Sequence, residues 1–153
     1  MIERRSATPV RLILAPVLGD DLCGAWWPRS ASIATELPGL AEVLRDRLGQ
    51  VVDIQVSWSS VDGEPDLDLL TRRGVSAMPG LRTRPQRVMK VMGSDAAVKL
   101  IVVPHRTTSP LAVLVMRHAA GLPVDDRHLE SDAYRAADDI VRSAQAQCVR
   151  WRN

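Results

Sequence analysis

The stretch RVMKVMGSDAAVKLIVV, residues 87–103, decides the expected fold. Two runs of apolar and β-branched residues, 87–92 and 98–103, flank the turn sequence GSDAA. Two such runs joined by about three to five residues that include glycine are typical of a β-hairpin. Pro104 predicts the end of the second strand, because proline cannot donate a ladder hydrogen bond. The stretch therefore predicts an antiparallel strand pair.

Two further strands and a helix are expected upstream of the hairpin. Residues 51–58, VVDIQVSW, alternate between apolar and polar side chains, which is typical of an antiparallel strand with one face in water. Residues 10–15, VRLILA, predict another strand that ends at Pro16. Residues 36–48 place leucines and valine on one face at helical spacing, with Thr35 as the predicted cap and Gly49 as the stop.

Two helices are expected downstream. The first begins after Thr108 or Ser109 and ends before Gly121, and the second runs from Ser131 to about Ala146. Strands and helices are thus partly segregated along the chain. This order predicts an α+β fold, a small antiparallel sheet, which can be strongly curved, packed on one face by two or three helices.

The length of 153 residues predicts a single domain spanning residues 1–153. Within it we expect a flexible N-terminal arm over residues 1–8 and a C-terminal helical extension over residues 124–153. Residues 59–86 are rich in glycine, proline and charge and predict an irregular middle region.

Composition excludes several classes of protein. The formal net charge is only +2, and the apolar runs are far shorter than the roughly 20 residues that a membrane span needs. No apolar segment with a small-residue cleavage site follows the N-terminal charges, so a cytoplasmic location is expected. Cys23 and Cys148 are too few for a disulfide framework and are expected to be free thiols.

No motif predicts a metal or a cofactor. The acidic residues of the run 62–68 alternate as in a calcium loop, but Leu67 and Arg73 occupy the positions where such a loop needs glycine and glutamate. There is no nucleophile elbow and no glycine-rich phosphate loop. No catalytic residue and no metal ligand are therefore assigned.

The segment from Arg72 to Lys90 gathers six basic residues. A nucleic-acid surface built on them would need aromatic side chains on which bases can stack. None occurs between Trp58 and Tyr134, so nucleic-acid binding is the weakest of the alternatives.

The segment GAWWPRS, residues 24–30, holds two of the four tryptophans. Neighbouring residues of a strand face opposite sides, so one indole is expected to cover an edge, a groove or a partner. An arginine beside tryptophans is typical of ligand grooves and of interface hot spots. The alternative is that both indoles are core anchors, in a chain without phenylalanine.

A family resemblance rests on the same residues. The chain resembles an uncharacterised actinobacterial family of domains of unknown function at residues 10–16, at GAWWPRS, at ELPGL (36–40), at Trp58, and at VVP (102–104) with Thr107. The resemblance covers roughly residues 9–120 and implies no activity. It also implies a compact arginine- and glycine-rich hairpin after Trp58, whereas this chain has an acidic run there.

Two functional hypotheses follow. The leading one is a small non-enzymatic module that binds a protein partner, a second copy of itself or a small ligand through a tryptophan–arginine surface of Trp26, Trp27, Arg29, Ser30 and Trp58. The second is an enzyme with a pocket between sheet and helices, in which His105 or His118 works with Asp20 or Asp21. That hypothesis predicts a deep pocket with a histidine beside a carboxylate.

Overall fold

The computed structural model describes residues 10–19, 21–58, 86–123 and 131–151. These residues form five strands and three helices, and the strands make one open sheet of order β1-β2-β5-β4-β3. The α+β prediction is confirmed. In chain order the elements are β1 Leu12–Leu14, β2 Leu22–Trp26, α1 Ile33–Leu48, β3 Val51–Val56, β4 Val88–Gly93, β5 Ala97–Val102, α2 Ser109–Ala119 and α3 Asp132–Arg150.

The sheet is mixed, whereas an antiparallel sheet was expected. The predicted hairpin forms as β4 and β5, and β3 and β1 pair antiparallel with β4 and β2. The central pair, β2 and β5, runs parallel, with Trp26 opposite Val102. Parallel strands need a long crossover connection, and here the chain passes through α1, β3 and β4 before it returns as β5.

Helices cover both faces of the sheet, which corrects the expectation that they cover one. The leucines at 40, 44 and 48 of α1 pack with Trp26 and Leu100 on one face. Helices α2 and α3 pack with Trp27 and Ile101 on the other. Consecutive residues of β5 pack into opposite cores, so the strand is apolar on both faces except at Lys99, as buried central strands are.

Strand β3 keeps one partly wet face, as its alternation predicts, but two of its apolar residues are exposed, Val52 at 64% and Val56 at 42%. The register with β4 shifts between Val51 and Asp53, so that Val51 packs against the core and Val52 turns outward. Ile54 and Trp58 pack against the core under α1, as expected. A bulge thus resets the alternation that the sequence displays.

The helix boundaries differ modestly from those predicted. Helix α1 begins at Ile33 after Ser32, one turn earlier than Thr35 suggests, and α3 extends to Arg150. Gly49 ends α1 with φ +79°, a left-handed conformation that favours glycine. Helix α3 begins at Asp132, next to the predicted first residue Ser131, whose hydroxyl accepts from the Tyr134 amide and caps the helix.

Several predictions concern residues outside the described ranges: the arm at 1–8, the irregular region at 59–85, and the segment 124–130 of the C-terminal extension. The residues outside the described ranges also include Asp20, His128, the acidic run 62–68 and the basic residues of 72–84. Within the described ranges, no helix combines the length and apolar character that a membrane crossing requires.

Candidate switch-point cleft

The carboxyl ends of the parallel strands β2 and β5 lie side by side at one edge of the sheet. From there β2 continues into α1 on one face, whereas β5 continues into α2 on the other. In open sheets with helices on both faces, ligands bind outside the carboxyl ends of parallel strands where the connections diverge in this way. The topology therefore marks this edge as a candidate binding site.

A cleft of about 170 Å³ lies at this edge. We call it the switch-point cleft. Its walls come from three parts of the chain, namely the residues before β1, the end of β2 with the turn after it, and the first half of α1. The lining residues are Val10, Arg11, Trp26, Trp27, Pro28, Arg29, Thr35, Glu36 and Gly39.

The two adjacent indoles lie on opposite faces of the sheet, and both are buried. Trp26 is 2% exposed in the core under α1, and Trp27 is 7% exposed in the core under α2 and α3. The expectation that one indole covers an open surface assumed helices on a single face. With both faces covered, the indoles serve as core anchors that also contribute to the cleft walls.

Arg11 is the residue that sequence reasoning missed. Its guanidinium carbon lies 3.7 Å from the centroid of the Trp27 ring. Its Nε donates to the Trp27 carbonyl at 3.0 Å and its Nη2 to the Pro28 carbonyl at 2.8 Å. An arginine interrupting the apolar run VRLILA was the available signal, because a charge within a buried strand needs partners.

Three effects act on the pKa of Arg11. Burial lowers the pKa of Arg11, and the nearby Arg29 guanidinium lowers it further, whereas the Glu36 carboxylate raises it. Arg29 itself is exposed. The cleft therefore brings two cations and one anion within electrostatic reach of one another.

Ser30 supports the cleft without lining it. Its hydroxyl donates to Glu36 Oε2 at 2.8 Å and accepts from the Ser32 amide at 3.3 Å. These bonds link the turn after β2 to the first turns of α1. Ser30 thus positions the carboxylate of Glu36 in the wall.

Trp58 is not brought together with the other predicted residues. It follows β3, at the opposite edge of the sheet from β1. Three inter-strand spacings of about 4.8 Å, or roughly 14 Å, separate the line of β3 from β2. Trp58 is stacked instead under Arg87, whose guanidinium carbon lies 4.9 Å from the ring centroid.

The loop after β5 closes the other side of Trp27. The indole Nε1 donates to the His105 carbonyl at 3.4 Å. Thr107 in the same loop is 6% exposed, and its hydroxyl has no hydrogen-bond partner within the described part of the chain. His105 is therefore adjacent to the indole, but the lining of the cleft includes no histidine.

A histidine–carboxylate pair exists elsewhere, with a different carboxylate from those expected. His118 Nε2 lies 2.8 Å from Asp138 Oδ1, and Asp138 Oδ2 lies 2.8 Å from Arg142 Nε. The pair joins α2 to α3 and its side chains are about a quarter exposed, at 28% and 26%. Asp21 is exposed at the start of β2. The three side chains lock two helices together.

At the far end of the sheet, Lys99 is buried at 4% exposure and donates to the Cys148 carbonyl at 3.2 Å. That carbonyl belongs to the last turn of α3, where helical carbonyls lack partners within the helix. Burial raises the pKa of the Cys148 thiol to about 11, although the Lys99 charge opposes the shift. Cys23 and Cys148 are both free thiols, as expected.

No group of three or more metal-ligating side chains occurs within residues 10–19, 21–58, 86–123 and 131–151. Comparison with known proteins gives one finding. A model described as a family of unknown function, DUF5994, matches residues 11–119. This range contains the whole lining of the switch-point cleft except Val10. No curated protein and no solved structure matches the chain.

Proposed function

The chain belongs to the DUF5994 family, to which no function is assigned, and we propose from its geometry that it is a small-ligand-binding module. The ligand site is the switch-point cleft. One observation carries the proposal: the cleft lies at the carboxyl end of β2, on the side of β1 and α1, next to the point where the connections of the parallel strands β2 and β5 diverge. The family match covers both strands and both helices that follow them.

The size of the cleft indicates a small ligand. Drug-sized ligands occupy pockets of roughly 300–1,000 Å³, whereas a cavity of about 150 Å³ holds a benzene molecule. The volume of about 170 Å³ therefore fits a compound of about six to ten non-hydrogen atoms.

The charged groups of the lining favour binding over catalysis. The guanidinium groups of Arg11 and Arg29 offer only hydrogen-bond donors, so they orient and neutralise a ligand and supply no general base. The alternative enzyme would use a histidine beside a carboxylate. Such a pair occurs at His118 and Asp138, where it ties α2 to α3.

A protein partner or a second copy of the chain stays a prediction alongside the ligand. So do the cytoplasmic location, the actinobacterial origin and the role of GAWWPRS as a family signature. The buried positions of Trp26 and Trp27 favour a small ligand over a protein as the occupant, because a hot spot would present larger aromatic surfaces.

Gly39 offers a direct test. It lines the cleft from α1, and a Cβ built on it would meet only the Val10 side chain, at 3.4 Å. Gly39→Leu should therefore fill the cleft with little strain. Ala34→Leu is the matched control, since Ala34 is an exposed residue of the same helix outside the lining.

The measurement is a screen of compounds of ten or fewer non-hydrogen atoms, followed through the tryptophan indole N–H signals in NMR spectra. We expect compounds that shift the Trp26 or Trp27 signal in the wild type and in Ala34→Leu but not in Gly39→Leu. Hits that bind Gly39→Leu equally well would place the ligand elsewhere and overturn the proposal.

A further inference from the structure

We infer that the ligand of the switch-point cleft carries a single carboxylate, seated between the guanidinium groups of Arg11 and Arg29. This inference rests on the proposed function of the cleft and adds the chemical class of its ligand.

Arg11 is held in one orientation before any ligand arrives. Its guanidinium carbon lies over the Trp27 ring, and the carbonyls of Trp27 and Pro28 accept one N–H from Nε and one from Nη2. A guanidinium has five N–H donors in a fixed fork. Three of them therefore have no partner within the described part of the chain, and their direction is already set. A planar carboxylate matches such a fork through paired hydrogen bonds.

Arg29 adds a second cation at the same place. Its charge lies close enough to lower the pKa of Arg11, so the two guanidiniums repel each other. A bound anion would convert this repulsion into attraction on both sides. Arg29 is also one of the residues that line the cleft, so its guanidinium belongs to the same site.

The charge balance selects a monoanion. The lining contains two arginines and Glu36, which gives it a net formal charge of one positive unit. A carboxylate neutralises this charge, whereas a phosphate dianion would leave an excess negative charge beside Glu36. Like charges placed together disfavour the wrong ligand. Ser30 donates to Glu36 and holds that carboxylate in the wall.

The rest of the lining suits an apolar ligand body. Val10, Trp26, Trp27 and Pro28 contribute apolar surface, and Gly39 leaves room against α1. The ligand class is thus a monocarboxylate of roughly six to ten non-hydrogen atoms with an apolar body.

Three probes with the same ring and different head groups test the inference: benzoate, the neutral benzamide and the dianionic phenyl phosphate. Each is titrated into ¹⁵N-labelled protein at constant ionic strength, and the indole N–H signals are followed. Trp58 and Trp151 lie outside the lining and serve as internal controls. We expect benzoate to shift the Trp26 and Trp27 signals with a millimolar Kd, as about 0.3 kcal/mol per non-hydrogen atom implies. Benzamide and phenyl phosphate should bind at least about fivefold more weakly.

Arg29→Gln should weaken benzoate binding about tenfold, the usual consequence of losing a hydrogen bond to a charged group. Arg45→Gln removes the same charge from an exposed position near the other end of α1 and should change nothing. Benzamide or phenyl phosphate binding as tightly as benzoate would overturn the carboxylate inference while supporting a ligand site. If none of the three probes shifts the Trp26 and Trp27 signals, both proposals are overturned.

Discussion

The guanidinium carbon of Arg11 lies over the Trp27 ring, 3.7 Å from its centroid, and the guanidinium donates to the carbonyls of Trp27 and Pro28. One side chain therefore ties the strand at the edge of the sheet to the end of the next strand. The Arg11 carbonyl also accepts from the Trp27 amide at 2.8 Å, so the contact is reciprocal. The same arrangement that stabilises this edge also aims a cation into the cleft.

Arg11→Lys should lower the free energy of unfolding by about 1–2 kcal/mol, because lysine keeps the charge but loses the planar stack and the paired donors. Urea denaturation measures the change. Arg45→Lys, at an exposed helical position, should stay within about 0.5 kcal/mol of the wild type. Equal stability of the two variants would show that the stack contributes nothing.

Trp27→Ala and Arg29→Ala should have different effects on stability, because Trp27 is a core residue and Arg29 is a surface residue of the same segment. Trp27 is 7% exposed and its replacement should cost about 3–5 kcal/mol, as truncation of a buried aromatic does. Arg29 is exposed, and its replacement should change stability by less than about 0.5 kcal/mol. Thermal and urea unfolding distinguish the two. An unchanged melting temperature for Trp27→Ala would show that this indole is not part of the core.

Gly24→Ala should disrupt the pairing of β1 with β2. Leu14 pairs with Gly24, and a Cβ on Gly24 would lie 2.0 Å from the Ile13 carbonyl oxygen, which is a backbone atom that cannot move aside cheaply. We expect a loss of more than about 2 kcal/mol. Gly39→Ala is the control, and it should raise the free energy of unfolding, because replacing a helical glycine by alanine stabilises by about 0.5–1 kcal/mol. Native stability of Gly24→Ala would refute the close approach of the two strands.

The buried thiol of Cys148 predicts a pH dependence in the alkaline range. Its pKa is raised from an ordinary 9.0 to about 11 in the folded chain. The unfolded chain therefore loses this proton first as the pH rises. The group does not affect stability below about pH 9, and stability falls between about pH 9 and pH 11. Urea midpoints across this range should decline more steeply for the wild type than for Cys148→Ala, in which this thiol is absent. Parallel curves would contradict the prediction.

Local patterns predicted every described element except the strand β2. The hairpin, the helix stop at Gly49 and the start of α3 near Ser131 depend on residues close together in sequence, whose preferences operate within one turn or one strand pair. The parallel pairing of Trp26 with Val102 depends on which distant strands become neighbours, and no local signal encodes that choice.

The candidate site was predicted in part for the same reason. Trp26, Trp27 and Arg29 are close in sequence and share the cleft, whereas Trp58 was grouped with them by residue type and lies at another edge. Arg11 reaches the cleft through the β1–β2 pairing, and Glu36 through the first turns of α1. Both depend on tertiary neighbours, so neither could be identified by the composition of GAWWPRS.

The parallel pairing of β2 with β5 also sets an order of assembly. The strands meet only after α1, β3 and β4 have been traversed, so their contact closes a long loop. Such contacts carry a larger entropy cost than the local β4–β5 hairpin and are expected late in folding. Until β5 docks, Trp26 lacks the strand whose Val103 amide donates to its carbonyl. The proposed ligand site is built on Trp26 and Trp27 at the end of β2, so we expect it to be complete only once β2 has paired with β5.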